Sequence, residues 1–392
     1  MEKLRETFKR KLPIILVDDF REYEADFVYP AEIAEAEVIN FMISRGKGLL
    51  CVAADEDDLL ERGFFRLPSN LKMGETNFFI TVDWGNGTGI SAGERAETCR
   101  KISEGRPLKE FRYPGHVTLL GGKGFNLRRG HTEAAIELVN IAGYERCAVL
   151  TEVLDDEGDS HNMEYVRWVS KKYGIPILRV EDVWVEYIKR GMFLRVRSTA
   201  TLPTDLGVFE IVGFENALDS LEHFAIVKKP FGSPVPVRVH SECLTGEVFS
   251  SLRCDCGDQL REAVRFIANN GGIILYLRQE GRGIGMTNKI EAYNLQDMGY
   301  DTVEANIELG FSPDERDYAV AAQMLKALGV AEVVLLTNNP SKVEGLKKYG
   351  VKVVGKRKLY GTVRNENLNY LYTKMMKLNH DLEEMIQKVV RR

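Results

Sequence analysis

Cysteine is scarce in this chain of 392 residues: there are six, and three of them fall within fourteen positions of one stretch, SECLTGEVFSSLRCDCGDQL. The other three, Cys51, Cys99 and Cys147, are scattered through apolar or helical contexts, where a thiol packs as a small hydrophobe. Long apolar runs are missing too. Nothing approaches the roughly eighteen residues of a membrane-spanning helix, and the start, MEKLRETFKRKLPIILVDDF, is basic without an apolar core of signal-peptide length. The expectation is a cytoplasmic protein, and in that reducing compartment a tight cysteine cluster points to a metal or catalytic site rather than a disulfide framework. A surplus of positive charge is also absent: 53 Lys and Arg stand against 58 Asp and Glu, a net charge of −5. That balance speaks against broad nonspecific binding to nucleic acid or anionic membrane, so any bound phosphate must meet local positive charge. No internal repeat and no low-complexity tract is present.

Strand-like apolar runs are plentiful, among them PIILV, GLLCVA, AVLTEV, GIILYL and EVVLL. They alternate with stretches such as TEAAIELVNIAG and QLREAVRFIANNGG, whose apolar residues recur every three or four positions. The expected class is α+β, in two mixed domains that are each a sheet covered by helices, because a chain of this length can bury two cores. The seam is RGMFLRVRSTATLPTDLG, where helical character gives way to Thr, Pro and Gly, so the domains are expected at 1–195 and 196–392. Beyond about residue 365, KMMKLNHDLEEMIQKVVRR suggests an amphipathic terminal helix used for packing or a dimer contact.

The spacing of Cys243, Cys254 and Cys256, C-x10-C-x-C, differs from the paired C-x-x-C knuckles of closed four-thiolate zinc sites. Three thiolates leave a fourth position open for a water whose pKa the metal lowers, which predicts hydrolysis. A closed structural site completed by His240 or Asp255 remains the alternative on spacing alone. Downstream, RQEGRGIG puts Arg278 and Arg282 on a tight, glycine-permitted turn suited to phosphate oxygens. In EVVLLTNNPSKVEGLKKYG a strand ending at Thr337 and a helix from about Ser341 set Thr337 and Lys342 where α/β folds bind ligands.

Taken together, RVHSECLTGEVFSSLRCDCGDQL, YLRQEGRGIGMTNKIEAYNLQD, DTVEANIELGFSPDERDY and LLTNNPSKV closely resemble GTP cyclohydrolase II, over residues 203 to about 365. The resemblance implies zinc on Cys243, Cys254 and Cys256, attack of a zinc-bound water on C8 of GTP, and release of formate and pyrophosphate. It makes Asp314 a proton acceptor, Arg316 a nucleophile or electrostatic clamp at the α-phosphorus, and Tyr293 the residue that orients the water. GTP would be held by Arg238, Val239, His240, Ser241 and Glu242, by Gln259, by Glu280, Gly281 and Arg282, and by Thr302, Thr337 and Lys342. Carboxamide and carboxylate groups suit the donor-rich guanine edge, and Arg and Lys suit the triphosphate.

In the first half, DDFREYEADF crowds acids around one arginine, His131 precedes a helix that Thr132 can cap, and Glu152 ends a strand. With RGKGLLCVA, TGISAGERAET, FRYPGHVTLL, RRGHTEA and TEV, this pattern resembles 3,4-dihydroxy-2-butanone 4-phosphate synthase over residues 10 to about 190. The resemblance implies magnesium or manganese on Glu22 and His131. It also implies ribulose 5-phosphate on Arg21, Glu22, Asp26, Arg128, Arg129, Gly130, His131, Thr132 and Glu152, proton transfer by Glu152, and support from His116. Proton abstraction beside a carbonyl gives an enediol whose oxyanion a divalent ion steadies. The acidic loop of that family reads Asp-Arg-Glu-Asn-Glu-Gly-Asp, whereas here Tyr23 replaces its Asn and Ala25 its Gly. An alanine forced to positive φ would be strained by about 1–2 kcal/mol. The chain thus reads as a bifunctional enzyme acting on GTP and ribulose 5-phosphate, a homodimer with no nucleic-acid or membrane partner. A cyclohydrolase with an inactive or repurposed first domain is the alternative.

Overall fold

The apolar runs become the strands of two seven-stranded sheets. Each sheet belongs to its own compact unit of the computed structural model, Met1–Tyr187 and Ile188–Arg392. Residues 2–18, 23–70 and 76–390 are described.

The first unit holds β1 (Ile14–Val17), β2 (Ala25–Pro30), β3 (Cys51–Asp55), β4 (Asn77–Asp83), β5 (Arg112–Gly122), β6 (Cys147–Glu152) and β7 (Ile177–Arg179), in the order β4-β5-β3-β6-β2-β1-β7. β3/β5 and β1/β7 are parallel and the other neighbours antiparallel. Every residue of β1 and β2 is buried, as expected of strands covered on both faces. The helix His131–Ile141 is buried at every position but Asn140. Its two acids are paired: Glu133 accepts from Arg128 at 2.6 Å and Glu137 meets Arg146 at 2.7 Å, which offsets the cost of burying them. Three expectations need correction. Ala25 is an ordinary extended residue opposite Val17, and the left-handed residue of the loop is Tyr23, at φ 54°. His131 is the first residue of its helix rather than the one before it. Gly130, extended at φ −110°, is the N-cap, and Thr132, inside the first turn, caps nothing.

The second unit holds β8 (Leu194–Thr204), β9 (Gly207–Asn216), β10 (Phe224–Lys228), β11 (Val235–Ser241), β12 (Gly272–Leu277), β13 (Glu332–Leu336) and β14 (Lys352–Arg357), in the order β14-β13-β11-β12-β10-β9-β8. β14, β13, β11 and β12 are parallel, and β10, β9 and β8 continue the sheet antiparallel. The parallel half brings three carboxyl ends together, and such ends are where open α/β sheets bind ligands. Cys243 follows β11, Glu280 follows β12, and Thr337 follows β13. The expected terminal helix is two helices, Leu368–Leu378 and Glu383–Val390. Asn379, left-handed at φ 54°, ends the first by donating its N–H to the Lys374 carbonyl, as a C-terminal cap does. Leu371, Leu382, Met385 and Ile386 then form a small core of their own.

Candidate active sites

The three clustered cysteines converge. Their sulfurs all lie within 4.8 Å of one another, with Cys243 and Cys254 3.7 Å apart. A tetrahedral zinc with sulfurs at about 2.3 Å requires an S···S edge of about 3.8 Å, so this donor set fits one. The two side chains that could have closed the site are engaged elsewhere. His240 Nε2 meets Glu247 Oε1 at 2.8 Å, and Asp255 accepts from Lys374 Nζ at 2.9 Å and Gln259 Nε2 at 2.7 Å. Among the described residues, three thiols and no fourth ligand form the metal-capable group. Hydrogen bonds from Cys254 and Cys256 pull the Cys243 thiol far below its usual range, with Lys289 nearby adding to the effect. Burial alone would lower the Lys289 pKa, but the Cys243 thiolate and Glu280 outweigh it and hold the ammonium charged. Cys51, Cys99 and Cys147 are buried, and desolvation pushes the Cys99 thiol up to about 12.

These thiols line a cavity that opens to solvent. Arg238, His240, Ser241, Glu242, Gln259, Glu280, Gly281, Arg282, Thr302, Thr337 and Lys342 all face it. Val239 does not: it is 1 % exposed, and its carbonyl accepts from Lys342 Nζ at 2.8 Å. Arg238 donates to the Leu336 carbonyl at 3.0 Å and to Gln259 Oε1 at 2.7 Å, while its Nε is buried without a partner. Burial lowers its pKa to about 10, and burial with Arg238 and Arg316 nearby lowers that of Lys342. Gly281 and Arg282 both adopt left-handed φ, near 60°, which aims the Arg282 side chain back to Thr302 Oγ1 at 3.3 Å. Glu280 accepts from Lys289 Nζ, the Gly281 N–H and the Leu244 N–H. Arg316 faces the cavity, and Asp314 grips it from outside the wall, Nε to Oδ1 at 2.7 Å. Burial alone would raise the Asp314 pKa, but Arg316 outweighs it and keeps the carboxylate ionised. Tyr293 Oη meets Thr245 Oγ1 at 3.0 Å beside the cysteines. Sequence reasoning missed Lys289, Tyr370, Lys374 and His380, which also face the cavity. Lys289 lies four residues before Tyr293, a spacing that places both on one helix face.

In the first unit, Asp26 and Glu152 stand directly opposite across β2 and β6. Glu152 Oε2 accepts from the Leu49 N–H at 2.7 Å. Cys51, paired with Thr118 on β5 and Leu150 on β6, fixes the register. Two residues beyond that row, strand alternation puts His116, Glu152 and Asp26 on one face at one end of the sheet. His116 Nδ1 meets Asp83 Oδ2 at 2.8 Å. Arg128 bonds Glu133 at 2.6 Å and Thr76 at 2.8 Å, and the Arg129 guanidinium lies 3.6 Å over the Trp184 ring. His131 and Thr132 are buried in the first turn of their helix, behind Gly130. Arg21 and Glu22 lie outside the described residues, and among those described this unit gathers no three His, Cys, Asp or Glu donors.

Comparison with known proteins matches both halves. The profile of 3,4-dihydroxy-2-butanone 4-phosphate synthase covers residues 2–186, and that of GTP cyclohydrolase II covers 195–358. The riboflavin biosynthesis protein RibBA of Thermotoga maritima is 58% identical over 389 residues, 99% of this chain and 100% of that one. The chain belongs to this two-domain riboflavin biosynthesis family. RibBA of Bacillus cereus strain AH187 is 43% identical, covering 97% of this chain and 98% of its own. A crystal structure of RibBX, a two-domain 3,4-dihydroxy-2-butanone 4-phosphate synthase from A. baumannii, shares the fold with a TM-score of 0.66 at 23% identity, over 92% of this chain and 99% of that one. The chain is therefore a bifunctional enzyme of riboflavin biosynthesis, a synthase domain followed by a GTP cyclohydrolase II domain, acting on small molecules. No described helix is long and apolar enough to cross a membrane.

Proposed function

We propose that zinc on Cys243, Cys254 and Cys256 serves GTP ring opening, and that magnesium or manganese on Glu22 and His131 serves the conversion of ribulose 5-phosphate. The observation that carries the first assignment is the three-thiol cluster opening onto a cavity in which Arg238, Arg282 and Lys342 have no carboxylate partner among the described residues. When bound there, zinc supplies Lewis acidity and brings the pKa of a water towards neutrality. The chain's own groups do the rest. Arg238, Arg282 and Lys342 take the triphosphate, and Arg316, held by Asp314, stabilises charge developing at the α-phosphorus. Gln259 and Glu280 address the guanine edge, Glu280 Oε2 keeping a lone pair beyond its bond from Leu244. Tyr293 orients the attacking water from the side of Thr245.

In the first domain, Glu152 and Asp26 bracket the substrate carbon from which a proton is removed, and the Leu49 N–H fixes Glu152 for that transfer. Arg128 and Arg129 lie at the helix start, where phosphate is favoured. Three reduced thiols suit a cytoplasmic enzyme. A homodimer is supported by exposed apolar side chains near the cysteines, Val248 at 64 % and Phe249 at 72 %; a monomeric mass by light scattering would reject it.

The test is a paired formate assay on the whole chain, with GTP in one arm and ribulose 5-phosphate plus magnesium in the other. Cys254→Ser should silence only the GTP arm and His131→Ala only the other. No formate from ribulose 5-phosphate at any enzyme concentration would mean that the first domain no longer performs its family's reaction.

A further inference from the structure

The cyclohydrolase profile stops at residue 358, but the wall of the cavity continues past it with Tyr370, Lys374, Leu378 and His380. These residues belong to the helix Leu368–Leu378 and the turn that follows. The segment is firmly anchored. Its own small core packs beneath it, Lys377 pairs with Glu304 at 2.8 Å, Arg364 with Asp258 at 2.7 Å, and the Asp381 N–H donates to the Asn338 carbonyl at 2.9 Å.

Two contacts run from this helix to the cysteines. Tyr370 Oη lies 3.8 Å from Cys256 Sγ, within hydrogen-bond reach of a sulfur. Lys374 Nζ lies 2.9 Å from Oδ1 of Asp255, the fully buried residue between Cys254 and Cys256. Asp255 Oδ2 accepts from Gln259 Nε2 at 2.7 Å, and Gln259 Oε1 accepts from Arg238 Nη2 at 2.7 Å. The chain Lys374, Asp255, Gln259, Arg238 therefore fixes which way the Gln259 amide points and where the Arg238 guanidinium sits.

We propose that this C-terminal helix is a working wall of the cyclohydrolase site: Tyr370 donates a hydrogen bond that tunes the Cys256 thiolate, and Lys374 positions Gln259 and Arg238 for GTP through Asp255. Both are positioning residues, and the inference rests on the zinc and GTP assignment above. The physical grounds are twofold. A carboxylate buried between two thiolates is repelled by both and needs a cation to stay in place. Partners that hydrogen-bond a metal ligand set its donor strength and orientation.

The test compares Tyr370→Phe, Lys374→Gln, Lys374→Arg and, as a control on the exposed side of the same helix, Tyr372→Phe. Zinc retention against a graded chelator and the thiolate-to-metal absorption of the cobalt(II)-substituted protein are read beside KM and kcat for GTP. Tyr370→Phe should release zinc about 10- to 100-fold more readily and shift the cobalt band to longer wavelength, with KM little changed. Lys374→Gln should raise KM for GTP by about 2- to 30-fold, with Lys374→Arg recovering most of the loss and Tyr372→Phe matching the parent. A Tyr370→Phe protein with parental zinc retention and an unmoved band, or a Lys374→Gln protein with parental KM, overturns the inference while the zinc reading stands. A parent chain that takes up no zinc, or releases no formate from GTP, overturns both.

Discussion

Replacing Gly246 by alanine opposes helix propensity to the geometry of the cysteine centre. Gly246 lies in the short helix Leu244–Glu247, and its N–H donates to the Cys243 carbonyl at 3.0 Å. Propensity alone would favour alanine by about 1 kcal/mol. Yet the added methyl would stand 2.8 Å from Cys254 Sγ, 3.3 Å from Cys243 Sγ and 3.5 Å from Cys256 Cβ. Comfortable contacts begin at about 3.5 Å, so Cys254 must retreat by roughly 0.7 Å. Metal sites tolerate ligand displacements of only about 0.2 Å. Cys254 therefore leaves the ligand set, and zinc retention should fall by at least the 10- to 100-fold typical of losing one supporting partner. Zinc per chain is measured after dialysis against graded chelator, with formate release from GTP alongside. Formate from ribulose 5-phosphate provides the internal control and should be unchanged. A Gly246→Ala protein that keeps its zinc at the parental chelator concentration and turns over GTP normally would refute this packing of the thiols.

Lys289→Met should destabilise the second domain by about 3–5 kcal/mol, because Glu280, its partner at 2.8 Å, would be left buried without a cation; an unchanged urea midpoint would contradict that. Tyr23→Asn should raise the first thermal transition by the equivalent of about 0.5–1 kcal/mol, since Tyr23 is 59 % exposed at φ 54° and Asn tolerates that conformation better. A lowered transition would count against the reading. Burial first, then Lys374, Arg316, Lys342 and Arg282, pushes the His380 pKa from 6.5 down to about 2. The unfolded chain then binds a proton below pH 6.5 that the folded chain refuses, so this contribution is complete above 6.5 and lost as pH falls, by about 1.4 kcal/mol per pH unit. His380→Gln should make stability between pH 6 and 4 shallower by one proton, and equal slopes would mean that the imidazole titrates freely in the fold.

The chemistry was most legible where a rare residue type carries it. Cys243, Cys254 and Cys256 are half of all the cysteines, so their spacing alone suggested a metal with an open position. That position is open because His240 and Asp255 are tied to Glu247 and Lys374, pairings between residues far apart in sequence or hidden by it. The apolar runs GIILYL and EVVLL located β12 and β13 and hence the loops at their carboxyl ends, where cavity-facing residues gather. Single-residue backbone geometry was not legible. The acidic loop drew attention to Ala25, but pairing with Val17 in β1 extends that residue and moves the left-handed turn to Tyr23. Tyr370 and Lys374 share one face of a helix that reads as ordinary packing, because nothing local reports which cavity a distant helix will wall.

The electrostatics of the second domain follow from that arrangement. The chain as a whole carries a net charge of −5, yet Arg238, Arg282 and Lys342 converge on one cavity with no carboxylate partner among the described residues. Burial lowers the pKa of Arg238 and Lys342, which measures how unfavourably the fold holds them charged when no anion is present. The carboxylates nearby are already used: Asp314 holds Arg316, Glu280 holds Lys289, and Asp255 holds Lys374. The unmatched charge lies in the same cavity as the thiols, with Arg238 reaching Asp255 through Gln259, and on the proposed assignment a triphosphate would neutralise it. On the proposed assignment, stability given up by burying Arg238 and Lys342 without a carboxylate returns when the polyanion binds, so the same imbalance that strains the free protein would supply affinity for GTP.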